Sequence, residues 1–137
     1  MRLHIGAERT SVAEATLAFG WRSIARDCFQ HDPPSPLELE NAIAAVEDEV
    51  ARAHEGIAKG TILLTDNSTI RAIAVAAGVP PGAEMTLARE AVEHTFQRLA
   101  MRAPGLPAGG EFAAMLLILR ELMHHLDFPS IVIRLDL

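Results

Sequence analysis

The sequence predicts an α/β domain in which helices pack on the faces of a mixed sheet. Residues 61–65 form a short, uncharged and β-branched run, which is typical of a strand buried on both faces. From Thr69 onward, apolar residues recur at helical spacing until Gly78, a suitable helix stop. A strand that leads directly into a helix is a crossover unit, so residues 60–78 form the centre of the predicted fold.

Composition narrows the class of protein. The chain has 137 residues, of which 50% are hydrophobic, and we expect one globular domain over residues 1–137. A net charge of −6 without a basic stripe argues against a nucleic-acid partner. Cys28 is the single cysteine, which excludes an internal disulfide and favours a reducing, cytoplasmic setting. No apolar run approaches the roughly 18 residues of a membrane span, so we expect no membrane partner.

The N-terminal part indicates a hairpin followed by a helix. Residues 2–5 and 10–15 alternate weakly around a tight connection, and residues 16–19 are a candidate third strand. Residues 21–29 have the apolar spacing of a short amphipathic helix, on which Cys28 is expected to be an inert core thiol.

A second helix is predicted from Ser35 to about Glu55. Ser35 and Glu38 have the spacing of a capping box, in which each side chain satisfies the backbone N–H of the other residue. Gly56 is the expected stop. On the outer face, the carboxylates of residues 47–49 point in different directions, because adjacent helical residues lie about 100° apart. We therefore interpret them as a solvated face and not as an acid/base pair.

The C-terminal part predicts a loop at residues 79–82, an amphipathic helix that already includes Leu87, and a flexible connection at residues 104–110. Residues 112–126 are apolar around nearly the whole helical circumference, which predicts the most buried helix. A strand at residues 130–135 follows. At the end of the long helix, His124 and His125 suit a capping or surface role, since imidazolium is favoured at a helix C-terminus.

This order of elements matches a ribonuclease-H-like, actin-like ATPase domain with a mixed sheet of about five strands. The chain also resembles the second actin-like domain of the exopolyphosphatase and guanosine-pentaphosphate phosphohydrolase (Ppx/GppA) family. The family motif D-I-G-G-G-S-T corresponds to residues 4–10, the G-x-S-G-T turn to residues 65–69, and the G-L-x-x-x-R-A segment to residues that begin at Gly105.

The resemblance implies a residual anion site, and its candidate residues come from the two loops. They are Gly6, Arg9, Thr10, Ser68 and Thr69. Glycines of such loops let backbone N–H groups approach phosphate closely, but most of them are replaced here. Glu8 and Asp66 would repel a phosphate, so an Arg9–Asp66 or Glu8–Arg71 ion pair in its place is the preferred interpretation.

The expected function is therefore non-catalytic. The family's first lobe, which carries the catalytic acid, has no counterpart in these residues, and we expect no catalytic residue, no metal site and no cofactor. The leading hypothesis is a stand-alone domain that acts by self-association, as a homodimer, or by docking on a partner protein. The alternative is a module or half-site for phosphate, polyphosphate or a nucleotide such as ppGpp. A weaker third hypothesis is a hydrolase using His31, Asp32 or the His124–His125 pair.

Overall fold

The computed structural model describes residues 2–8, 11–16, 26–54 and 62–134. The strands are β1 Arg2–Glu8, β2 Ser11–Thr16, β3 Ile62–Thr65, β4 Glu84–Ala88 and β5 Ser130–Arg134. The helices are α1 Pro36–His54, α2 Ser68–Ala76, α3 Arg89–Ala100 and α4 Gly110–His125. Residues 26–28 form a further helical turn.

The described strands form one mixed sheet in the order β2-β1-β3-β5-β4. β3 and β5 are parallel, whereas the pairs β1/β2, β1/β3 and β4/β5 are antiparallel. A parallel pair needs a long crossover connection, and the helices between β3 and β5 supply it. The predicted α/β class with a mixed sheet is confirmed.

The core is organised around α4, which packs against α1, α2 and α3. Every residue from Phe112 to Leu119 is buried, as the near-continuous apolar run predicted. Leu63 and Ile131 belong to the same cluster of buried residues as this helix. α4 is therefore the element against which the other helices are fixed.

The start signal of α1 and the stop signal of α2 are confirmed, whereas Gly56, the expected stop of α1, lies outside the described residues. Ser35 Oγ accepts the Glu38 N–H at 3.2 Å, and Glu38 Oε1 accepts the Ser35 N–H at 2.9 Å, which is the predicted capping box. Gly78 has φ +94°, a left-handed conformation that suits glycine just after α2.

The prediction around Leu87 was wrong. Residues 84–88 form strand β4 and not the start of a helix, so α3 begins at Arg89. Met85 and Leu87 are buried while the alternate positions are exposed, which is the two-residue period of a strand. Pairing with β5 supplies the missing backbone hydrogen bonds, and this long-range partner outweighs the local helix propensity.

Two predictions concern residues that lie mostly outside the described part of the chain. Of the candidate strand at residues 16–19, only Thr16 is described, as the last residue of β2, and most of the helix predicted at residues 21–29 also lies outside the described residues. Among the described helices, none is both long and apolar enough to cross a membrane.

Candidate functional site

The turn between β3 and α2 is closed by its own side chains. Thr65 is fully buried, and its Oγ1 accepts the Asn67 N–H at 3.1 Å. Asn67 Oδ1 accepts the Ile70 N–H at 2.9 Å, so Asn67 is the N-cap of α2. The donor that a ligand would seek at this position already has an acceptor from the chain.

Of the first group of predicted anion-site residues the structure describes only Gly6, which does not lie beside Ser68 and Thr69. Gly6 pairs with Ile62, and β1 runs antiparallel to β3, so the chain after Gly6 leads away from the β3–α2 turn. Ile62 and Asp66 are four residues apart, which is about 13 Å along a strand. Gly6 is therefore separated from Ser68 by the length of β3. Arg9 and Thr10 lie outside the described residues.

Ser68 and Thr69 do lie at the first turn of α2, where Ser68 is exposed and Thr69 is partly buried. Arg71 follows them, but its Nη1 donates to the Gly82 carbonyl oxygen at 3.0 Å. The contact fixes Arg71 to the loop before β4. The Arg9 and Glu8 side chains of the predicted ion pairs lie outside the described part of the chain.

A carboxylate lies against the start of α4, although no side chain of the described residues caps this helix. Both carboxylate oxygens of Asp32 accept the Gly109 N–H, at 3.0 and 3.1 Å. Gly109 has φ +107°, a backbone conformation that side chains rarely tolerate. A carboxylate is favoured here because the helix dipole is positive at this end. A cleft of about 500 Å³ opens beside it. Its lining residues are Arg26, Phe29, Gln30, His31, Asp32, Gly110 and Glu111.

His31 and Asp32, which the hydrolase hypothesis used, have separate structural partners. His31 Nδ1 lies 3.1 Å from Glu38 Oε1, whereas Asp32 contacts Gly109. Hydrogen bonds from the backbone N–H groups of Ser35 and Gln30, with a smaller contribution from His31, lower the pKa of Glu38 to about 2. The ionised Glu38 side chain therefore holds residues 30–35 against the first turn of α1.

The Cys28 thiol is partly buried, and burial together with the neighbouring carboxylates of Asp27 and Glu38 raises its pKa. A raised pKa disfavours the thiolate, which is the nucleophilic form. The prediction of an unreactive thiol agrees with this environment.

A polar network in the C-terminal half was not predicted. The Arg120 guanidinium bonds Glu93 and Glu121 and lies 4.2 Å from the centre of the Phe96 ring. The Arg120 hydrogen bond lowers the pKa of Glu93. Glu121 is 3% exposed and follows the buried apolar run of α4. A lone Glu in an apolar helical run was the signal that could have indicated this buried charge.

Glu121 extends the network to the end of α4. Its Oε2 lies 3.0 Å from His125 Nε2, which lies 3.6 Å from Glu47 Oε1 on α1. His125 thus has two carboxylate neighbours from two different helices. His124 is exposed beside it and is not a member of this cluster.

Fold and turn geometry together define an α/β domain of the actin-like type found in Ppx/GppA structures. Three solved structures from Aquifex aeolicus are similar to this chain in fold. The PPX-GPPA enzyme matches with a TM-score of 0.69 and 14% identity, over 90% of this chain and 46% of that one. The Ppx/GppA family member and the type II variant of the Ppx/GppA phosphatase both give 0.65, at 15% and 14% identity.

This chain therefore spans less than half the length of the proteins it resembles, and the resemblance to Ppx/GppA is confirmed as a likeness of fold. No family model and no curated protein matches the sequence.

Proposed function

We propose that this chain is a non-catalytic module with a Ppx/GppA-type fold that acts by associating with a second copy of itself or with a partner protein. One observation carries the proposal: at the N-termini of both α2 and α4, a side chain of the chain itself occupies the place that a phosphate would take. Asn67 caps α2, and the Asp32 carboxylate accepts the Gly109 N–H at the start of α4. We place the module in the cytoplasm because Cys28 is its single cysteine.

Electrostatics favour the capped state. A phosphate at α4 must displace the Asp32 carboxylate or lie beside it, and a phosphate at α2 must approach exposed Asp66. Two like charges 4 Å apart repel by about 4 kcal/mol at an effective dielectric of about 20. Arg71 and Arg102 each donate to a backbone carbonyl oxygen, which holds their guanidinium groups at loop backbone.

For association we propose the outer edge of β4. No described strand pairs with this edge, and strand edges present N–H and C=O groups that can pair with another chain. Thr86 lies at its middle and is exposed. Two copies related by a two-fold axis would pair their β4 strands antiparallel and extend the sheet across the dimer.

Sedimentation equilibrium at micromolar concentration tests the proposal. The wild type is expected to form a dimer, and Thr86→Lys is expected to weaken it because the two lysines would lie close together. Thr86→Ser is the matched control and should leave the dimer unchanged. A strictly monomeric wild type that also captures no partner protein would contradict the proposal. Equal dimerisation of the Thr86→Lys variant would show that the β4 edge is not the dimer interface.

A second candidate function is a half-site for phosphate or a nucleotide, completed by another chain. It is favoured by α2, whose first turn holds exposed Ser68 and contains no acidic residue. Thermal denaturation with phosphate, polyphosphate, ppGpp or ATP distinguishes the two functions. The non-catalytic proposal expects no stabilisation, whereas the half-site expects stabilisation that Ser68→Asp abolishes.

A further inference from the structure

We propose a divalent metal site, best suited to Zn²⁺, formed by Glu47, Glu121 and His125 where α1 crosses the C-terminal end of α4. One ligand atom from each residue lies within 4.8 Å of the other two. The site lies at the opposite end of α4 from Asp32 and does not depend on the proposed function.

The distances between the ligand atoms fit a tetrahedral ion. Zinc bonds of about 2.0–2.2 Å to nitrogen and oxygen place neighbouring ligand atoms about 3.4 Å apart in a tetrahedron. His125 Nε2 lies 3.0 Å from Glu121 Oε2 and 3.6 Å from Glu47 Oε1. The Glu47 and Glu121 ligand atoms lie within 4.8 Å of each other, and His125 and Glu47 are exposed enough to rotate.

The carboxylates of Glu47 and Glu121 offer more lone pairs at this site than the His125 imidazole has protons to share with them. Arg120 occupies Glu121 Oε1 at 2.7 Å and leaves Oε2 directed at the imidazole. A neutral imidazole can offer one proton to two carboxylate oxygens, or its Nε2 lone pair to a metal. A divalent cation satisfies all three donors at once and balances the two carboxylate charges.

The three proposed ligand side chains differ in how far they are buried. Glu121 and His125 are four residues apart on α4, so they share one helix face, and the Glu121 side chain is 4% exposed. Glu47 comes from α1, which packs against α4. Its side chain is 47% exposed, as is 40% of His125, so the fourth coordination position faces solvent. Three protein ligands with an open position are the arrangement of catalytic zinc sites.

The donor set selects the ion. An imidazole with two carboxylates suits Zn²⁺, whereas Mg²⁺ and Ca²⁺ take six or more oxygen ligands. We therefore expect the site to distinguish Zn²⁺ from Mg²⁺.

The experiment uses the full chain after dialysis against EDTA. Calorimetric titration with ZnCl₂ is expected to show one equivalent bound, and Co²⁺ is expected to give the visible absorption of tetrahedral coordination. His125→Ala should lower the Zn²⁺ affinity by at least about tenfold. His124→Ala is the matched control, because it removes the adjacent histidine and leaves the three ligands in place.

A second pair of variants covers the other helix. Glu47→Gln should weaken Zn²⁺ binding while Asp48→Asn should not, and circular dichroism checks that each variant is folded. Absence of stoichiometric Zn²⁺ binding in the wild type would overturn the proposal and leave an ion pair only. Equal loss in the His124 and His125 variants, or in the Glu47 and Asp48 variants, would overturn it as well.

Discussion

The two ends of α4 use the same kinds of side chain for opposite purposes. At the N-terminus, the Asp32 carboxylate accepts the Gly109 N–H, so donor and acceptor are matched. At the C-terminus, Glu47 and Glu121 converge on one imidazole, so acceptors exceed donors. A region with matched groups needs no ligand, whereas a region with excess lone pairs can bind a cation.

The comparison shows that the family resemblance and the chemistry point to different places. The turn that corresponds to the second phosphate loop is capped by Asn67, and Asp32 lies against Gly109 at the start of α4. The cluster of Glu47, Glu121 and His125, which we propose as a metal site, lies outside the segments that correspond to the family motifs. Both ends depend on α4 as a rigid element, and the first prediction tests this dependence.

The largest effect is expected in the middle of α4. Leu116 is fully buried, and Leu116→Ala should lower the free energy of unfolding by about 2–5 kcal/mol because it leaves a cavity. Urea denaturation measures the change, and the slope with denaturant should stay constant. Met101→Ala is the control, since Met101 is 79% exposed and should cost close to nothing.

The cap of α2 comes next. Asn67→Ala removes the acceptor of the Ile70 N–H and should cost about 1 kcal/mol in thermal or urea denaturation. Asn67→Asp keeps an acceptor and should stay near the wild type. A loss from Asp66→Ala as large as that from Asn67→Ala would show that the turn is not closed by Asn67.

The Asp32–Gly109 hydrogen bond at the start of α4 is expected to matter slightly less, because Asp32 is exposed. Asp32→Ala should cost about 0.5–1 kcal/mol and speed hydrogen exchange of the Gly109 amide. Asp32→Asn retains an acceptor without the charge, so its stability should fall between those of the wild type and Asp32→Ala. Unchanged exchange in Asp32→Ala would indicate that the backbone at Gly109 does not need this carboxylate.

The last prediction concerns Glu38, whose contribution to stability changes only on acidification. Its pKa is about 2 in the folded protein, below the ordinary value of 4.5, so its stabilisation is present above pH 4.5. That stabilisation is lost as pH falls from 4.5 towards 2, because the unfolded state binds the proton first. Glu38→Gln should flatten the stability curve in this range, measured by urea midpoints at each pH. An unchanged acid slope would assign the acid sensitivity to other carboxylates.

The sequence predicted those features that depend on near neighbours. Ser35 and Glu38 are three residues apart, so their capping box could be identified from spacing alone. Gly78 and the buried face of α4 followed from local rules in the same way. Strand β4 was missed because Leu87 depends on a partner strand 44 residues later, where it faces Ile131.

The candidate site depended even more on long-range structure. Gly6 and Ser68 were assigned to one site from their motifs, but the antiparallel pairing of β1 with β3 separates them. No local pattern specifies the direction of that pairing. Asn67 was one of three residues with capping chemistry, and its φ and ψ decided which of them caps α2.

By itself, the sequence determined the α/β class, the central strand-to-helix unit and a turn that carries Asp66, Asn67 and Ser68. These are properties of composition and period within one segment. Only the tertiary structure decided that Asp32 contacts Gly109 across 77 residues of chain, and that Glu47 meets Glu121 and His125. Contacts at such separations follow from how helices cross, and crossing is fixed by the packing of the whole core.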